Sequence, residues 1–170
     1  MTNAKTFWLT GLSGAGKSTI AVALKERFDT TGRLCAVLDG DAVRTGLCAD
    51  LGFSPEARSE NIRRVAHVCK LFNDNGLTVI VAMISPYADD RRNAQAVIGE
   101  QRFIEVHVAT TLEICERRDP KGLYSKARAG LIPQFTGITA PYEAPAMPAS
   151  LLDTASLSVT ECVAALYSLA

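Results

Sequence analysis

The stretch Phe7-Trp8-Leu9-Thr10-Gly11-Leu12-Ser13-Gly14-Ala15-Gly16-Lys17-Ser18-Thr19 joins a short apolar run to a glycine-rich turn. Ile20, Ala21, Ala23, Leu24, Arg27 and Phe28 follow at largely helical spacing, so the order is strand, glycine loop, helix. Gly11 to Ser18 fits G-x-x-x-x-G-K-[ST], placed between strand and helix where the chemistry requires it. Glycines let successive N–H groups turn toward a phosphate, and the helix N-terminus adds about half a positive charge. The residues Gly11 to Thr19 are therefore the expected nucleotide-phosphate site. Lys17 is expected to reach the β and γ phosphates of a nucleoside triphosphate, and Ser18 to ligate Mg²⁺.

Beyond the loop, strand and helix patterns keep alternating. Leu34–Leu38 is an apolar run stopped by Asp39-Gly40-Asp41, and a short helix is expected over Asp41–Cys48. Ser54-Pro55-Glu56 carries an N-cap, a first-turn proline and an early acid, predicting a helix from about Pro55 to Asn75 with Ile62, Val65, Cys69 and Phe72 on one face. Leu77–Ile84 is continuously apolar and β-branched, as in a parallel strand buried on both faces. Further elements are expected at Asp89–Ile98 (helix), Phe103–Val108 (strand) and Leu112–Arg118 (helix), with a helical piece at Tyr124–Ala129. A short strand at Leu151–Asp153 and a last helix from Ser156 or Ser158 to Leu169 close the pattern. Residues 119–148, rich in proline and glycine, form the expected lid. This alternation predicts an α/β, three-layer fold of the P-loop nucleoside triphosphate hydrolase type with a mostly parallel central sheet.

A chain of 170 residues fits one ordinary domain, expected to span residues 1–170. Hydrophobic residues at 48% and charged residues at 21% rule out disordered and fibrous classes. Eighteen basic and eighteen acidic residues cancel, so no global field favours nucleic acid or a membrane, and any anion must be held locally. No Lys or Arg follows Arg128, which puts the anion chemistry earlier in the chain. Five scattered cysteines without a C-x-x-C pair read as buried hydrophobes in a reducing compartment rather than a disulfide frame or zinc site. With no secretory signal and no span-length apolar run, a cytoplasmic protein is expected.

The phosphate loop alone leaves kinases, GTPases and ATPases open. No N-K-x-D base-reading motif is present, and the acid-ended strand Val37-Leu38-Asp39 comes early, which suits a small-metabolite kinase. Asp39 and Asp41 flank Gly40 at the carboxyl end of the second strand, where doubly wound sheets bind ligands. They can serve a metal ion and a hydroxyl; the alternative is a turn in which Asp41 caps a helix. Arg44, Arg58, Asn61, Arg63 and Arg64 offer anion contacts or, singly, surface charges, with Arg58 and Asn61 neighbours on one helical turn. Phe53 and Phe135 lie in loops, where a purine could stack between them.

The ordered set GLSGAGKST, LDGD, LGFSPEAR-x-ENIRR, ISPY, RDPKGLY-x-KARAG and FTG-x-x-x-PYEAP, running from Thr10 to Pro145, resembles the adenylylsulfate kinase family. The resemblance implies transfer of the γ-phosphoryl of MgATP to the ribose 3′-hydroxyl of adenosine 5′-phosphosulfate (adenylyl sulfate). It implies Asp41 as the base or orienting group, Asp39 near the metal, and Arg44, Arg58 and Asn61 on the phosphosulfate. Phe53 and Phe135 would clamp the acceptor adenine, Ile84 and Ser85 line its site, and Lys121 belong to the lid. A hydrogen bond from Ser85 to ligand is expected rather than a phosphorylated serine, since direct in-line transfer needs no covalent carrier. The resemblance also implies a homodimer and possible association with ATP sulfurylase. Ala42, Thr45, Met83 and Ser125 depart from the usual family pattern; Ala42 and Thr45 border the acceptor site. Two other readings are a kinase of the same frame acting on another nucleotide, and a non-catalytic nucleotide-binding subunit of a sulfate-activating complex.

Overall fold

The computed structural model describes residues 4–170; Met1 to Asn3, the start of the expected domain, lie outside the described residues. Five parallel strands form one sheet in the order β2-β3-β1-β4-β5: β1 Thr6–Thr10, β2 Cys35–Asp39, β3 Thr78–Ala82, β4 Phe103–Val108 and β5 Ser150–Leu152. The helices are α1 Lys17–Thr30, α2 Gly40–Thr45, α3 Pro55–Asp74, α4 Ala88–Ile98, α5 Leu112–Arg118, α6 Leu123–Arg128 and α7 Val159–Tyr167. The α/β reading therefore holds, with a sheet wholly rather than mostly parallel.

The central strand explains the three layers. All five residues of β1 are buried, and its alternating side chains feed two cores. Phe7 and Leu9 pack with Ile20, Leu24 and Phe28 of α1 and Cys162 and Leu166 of α7. Trp8 points the other way, with Val79 and Val81 of β3, Ile62, Val65 and Cys69 of α3, and Ala94 and Ile98 of α4. Fully burying each of the large β1 side chains contributes roughly 1.5–3 kcal/mol. Cys48, Cys69, Cys115 and Cys162 are buried within this packing, and burial pushes the Cys69 thiol up to about 12.

Element ends differ from the sequence reading by up to three residues, with identifiable reasons. β2 runs on to Asp39 because that carboxylate accepts the Asp41 N–H and caps α2, so Asp39, not Asp41, is the capping acid. The expected helix through Cys48 stops at Thr45, before Gly46. Ser158 starts α7 with a capping box completed by Glu161. No helix among the described residues is long and apolar enough to cross a membrane.

Register sets where chemistry can occur. Asp39 pairs with Ala82, and Ala82 pairs with Leu9, so the carboxyl ends of β2, β3 and β1 lie level. The loops leaving those strands meet at one edge of the sheet, beside the strand at which the chain reverses its order.

Candidate active site

At that edge the backbone between Thr10 and Lys17 takes a shape few side chains tolerate. Gly11 has φ 151°, and a Cβ there would lie 2.5 Å from the Val108 carbonyl oxygen. Gly16 has φ 104° as it leads into α1. The loop carbonyls are held from outside: Tyr124 donates its hydroxyl to Ser13 O (2.8 Å), while Thr110 Oγ1 and Thr154 Oγ1 reach Ala15 O (3.1 and 2.9 Å). Arg118 in turn donates to Thr154 Oγ1 and Thr154 O (2.7 and 2.9 Å). A planar peptide points its N–H opposite its C=O, so fixing Ser13 O and Ala15 O outward turns the N–H groups of Gly14 and Gly16 inward. Leu12 lines the entrance, and Ser18 and Thr19 stand exposed on the first turn of α1. The buried Lys17 donates to Gly11 O (2.9 Å) and Leu12 O (2.7 Å), and burial lowers its pKa to about 8.

The acids arrive from β2. Ser18 donates its hydroxyl to Asp39 Oδ2 (2.6 Å), which places the two expected metal ligands side by side. Asp41 is exposed, and its Oδ2 forms an ion pair with Lys121 from the segment before α6. That segment is folded by Asp119, whose carboxylate accepts the N–H groups of Tyr124 and Ser125.

Phe53 and Phe135 come from loops that one arginine ties together. Arg58 donates from Nε to Phe53 O (2.9 Å), from Nη2 to Gln134 O (2.8 Å) and from Nη1 to Thr136 Oγ1 (3.2 Å). Arg44 stacks over the Phe53 ring at 4.3 Å and donates to Gly52 O (2.9 Å); burial, then the neighbouring Arg58 charge, lowers its pKa. Both arginines therefore hold the aromatic loop as well as concentrating positive charge. Phe53 is 60% exposed, whereas Phe135 is 7% exposed and meets Tyr124 edge-on at 5.0 Å. Asn61 is buried, and its Oδ1 has no hydrogen-bond partner among the described residues. Arg63 and Arg64 pair with Glu60 and Asp50, the surface-charge alternative.

Ser85 lies just past the end of β3. It is 2% exposed with φ 45°, and its Oγ accepts the Trp8 indole N–H (3.0 Å). That bond uses the Ser85 oxygen as an acceptor and leaves its O–H as a donor. The Ser85 carbonyl accepts from Arg91 Nη1 (2.7 Å), a cation that also binds Glu105 Oε1 (2.8 Å) and Glu143 O (2.7 Å). Glu143 N donates to Pro86 O (2.8 Å), and the Tyr142 hydroxyl lies 3.0 Å from Thr10 Oγ1. Ile84, half-buried, offers its carbonyl to Thr10 Oγ1 (2.6 Å). A groove of about 580 Å³ runs between Leu12, Leu112 and residues 137–142. Tyr124, Arg118, Thr110, Thr154 and Arg91 escaped the sequence reading; only the first two lie in a motif it singled out.

A model of the adenylylsulphate kinase family matches residues 3–153. The chain is 57% identical over 161 residues to an adenylyl-sulfate kinase of Marinobacter nauticus, covering 95% of this chain and 81% of that one. It is 56% identical over 156 residues to an adenylyl-sulfate kinase of Bacteroides thetaiotaomicron, covering 92% and 78%. The structure superposes with TM-score 0.94 and 47% identity on the Mycobacterium tuberculosis APS kinase CysC in complex with AMPPNP and APS, over 98% and 96% of the two chains. A hexameric APS kinase from Thiobacillus denitrificans matches at TM-score 0.73 and 35% identity, over 98% of this chain and 28% of that one.

Proposed function

Because the chain belongs to the adenylylsulphate kinase family, we propose that the phosphate loop, the two acids and the paired aromatic loops divide the work of phosphorylating adenylyl sulfate. The reaction moves the γ-phosphoryl of ATP to the ribose 3′-hydroxyl: the 3′-oxygen bonds to Pγ as the bond to the β–γ bridging oxygen breaks, and ADP leaves. Such transfers depend on in-line positioning and on neutralising the equatorial phosphoryl oxygens. Gly14 and Gly16 N–H groups and the start of α1 receive the donor phosphates, and Lys17 exchanges its loop carbonyls for the β and γ oxygens. Asp41 orients the 3′-hydroxyl and takes its proton, and Lys121, already beside Asp41, moves onto the transferring oxygens. Arg44, Arg58 and the amide Nδ2 of Asn61 face the phosphosulfate while Phe53 and Phe135 take the adenine. The burial of Ser85, whose oxygen accepts the Trp8 indole N–H, supports direct transfer without a serine intermediate.

Mg²⁺ fits the residues present. Ser18 Oγ and Asp39 Oδ2 are two hard oxygens already within 2.6 Å, matching an ion that takes one or two protein ligands and completes its shell with phosphate and water. When bound, it neutralises charge on the β and γ oxygens. The resemblance extends this proposal to one cytoplasmic kinase domain that forms homodimers and associates with ATP sulfurylase.

The observation that carries the reading is the line Ser18–Asp39–Asp41–Lys121, which joins phosphate loop, metal ligands and acceptor acid in one set of contacts. Its test is ADP release with MgATP, with and without adenylyl sulfate, for the wild type, Asp41→Asn and Lys17→Ala. Stimulation by adenylyl sulfate that both substitutions reduce at least about 100-fold is expected. ADP release indifferent to adenylyl sulfate while ATP still binds would assign the frame to another acceptor, and the search would turn to Ala42 and Thr45.

A further inference from the structure

We propose that Tyr124 is a positioning residue that couples the donor and acceptor nucleotide sites. The inference rests on the reading above that those sites take ATP and adenylyl sulfate. Tyr124 is fully buried, a location where phenylalanine would serve packing as well, yet its hydroxyl donates to the Ser13 carbonyl of the phosphate loop, with the Cys115 thiol as a further hydrogen-bond neighbour. Burial raises the phenol pKa, so it stays a neutral donor. The other side of the same ring meets Phe135 edge-on, at a contact geometry that aromatic pairs favour. Phe135 lies between Gln134 and Thr136, both held by Arg58, and Arg58 holds Phe53. A continuous set of contacts therefore runs from Ser13 O through Tyr124 to Phe135, Arg58 and Phe53. Asp119 fixes the backbone of Tyr124, and Lys121 in the same short segment touches Asp41.

The physical step is a peptide rotation. Phosphate binding draws on the Gly14 N–H, which belongs to the same rigid plane as Ser13 O. Any reorientation of that plane moves the acceptor of the Tyr124 hydroxyl, and the ring carries the displacement to the wall of the acceptor pocket. Adjacency alone does not establish coupling, so the measured quantity must be the coupling itself.

The experiment is calorimetric titration of the full chain with adenylyl sulfate, alone and with saturating AMPPNP. In the wild type the two dissociation constants are expected to differ. Tyr124→Phe keeps the ring and removes the bond to Ser13 O; it should bring that ratio toward one by about five-fold, the size of one neutral hydrogen bond, with adenylyl sulfate affinity for the empty enzyme changed by less than about two-fold. Thr154→Val removes one of the two hydroxyls on Ala15 O but touches neither aromatic ring; it should weaken AMPPNP and leave the ratio intact. A wild-type ratio of one, a full ratio in Tyr124→Phe, or an equal loss in Thr154→Val would each overturn the inference. A wild type that binds AMPPNP but no adenylyl sulfate would instead overturn the acceptor assignment, and this inference with it.

Discussion

Replacing Arg91 by leucine tests whether one buried cation straps the segment after Phe135 to the sheet. Arg91 is 2% exposed and makes three charge-assisted bonds at 2.7–2.8 Å, to Glu105 on β4 and to the carbonyls of Ser85 and Glu143. Truncating one partner of a buried ion pair costs about 3–5 kcal/mol. Glu105, however, keeps 24% exposure and recovers part of its hydration, which lowers the ionic share. The two carbonyls lose bonds of about 1.5–3 kcal/mol each, offset in part by water reaching the opened strap and by the apolar volume of leucine. A net loss of about 3–4 kcal/mol follows, or roughly 10 °C in Tm for a chain of this size. Urea and thermal melts measure the loss, and amide exchange locates it: Glu143 N, bonded to Pro86 O, should exchange faster than the β1 amides. Arg91→Lys should recover only part, because a point charge cannot span three acceptors. A loss below about 1 kcal/mol, or a larger one with unchanged protection at Glu143, would refute the strap.

Two further outcomes are expected. At pH 8 Lys17, held at about 8 by burial, is about half protonated in the empty site; donor phosphates favour its charged form and raise the pKa. AMPPNP binding should therefore take up about half a proton more in the wild type than in Lys17→Met, read from calorimetry in buffers of different ionisation heat; no difference between the two would refute the assignment. Ser158→Ala breaks the capping box of α7 and should cost about 1 kcal/mol, or about 3 °C in a thermal melt, with turnover unchanged.

Much of this arrangement was legible because it is local in sequence. The phosphate loop declares itself within nine residues, and Asp39-Gly40-Asp41 sits where an apolar run stops. The capping order of those two acids was not legible, since either can accept an N–H two or three residues on and only the end of β2 decides. The loop bonds that Arg58 makes to Phe53, Gln134 and Thr136 were not legible, because an exposed guanidinium and a strapped one look alike in a sequence. Arg91, Thr110 and Thr154 left no trace, because their partners lie far along the chain and their value comes from burial that a sheet of non-neighbouring strands creates. Ser85 shows the same limit: its motif is visible, but the Trp8 indole that donates to its oxygen comes from β1.

The clamp on the phosphate loop has a consequence in time. The loop is made before residue 20, yet the hydroxyls that turn its carbonyls outward lie 95 residues on at Thr110, 111 on at Tyr124 and 139 on at Thr154. β1 likewise finds its sheet partners only in β3 and β4. A nascent chain emerging N-terminus first would carry the complete GLSGAGKST signature for most of its synthesis without a loop shaped to hold phosphate. Nucleotide affinity thus waits on residues made long after the signature that announces it.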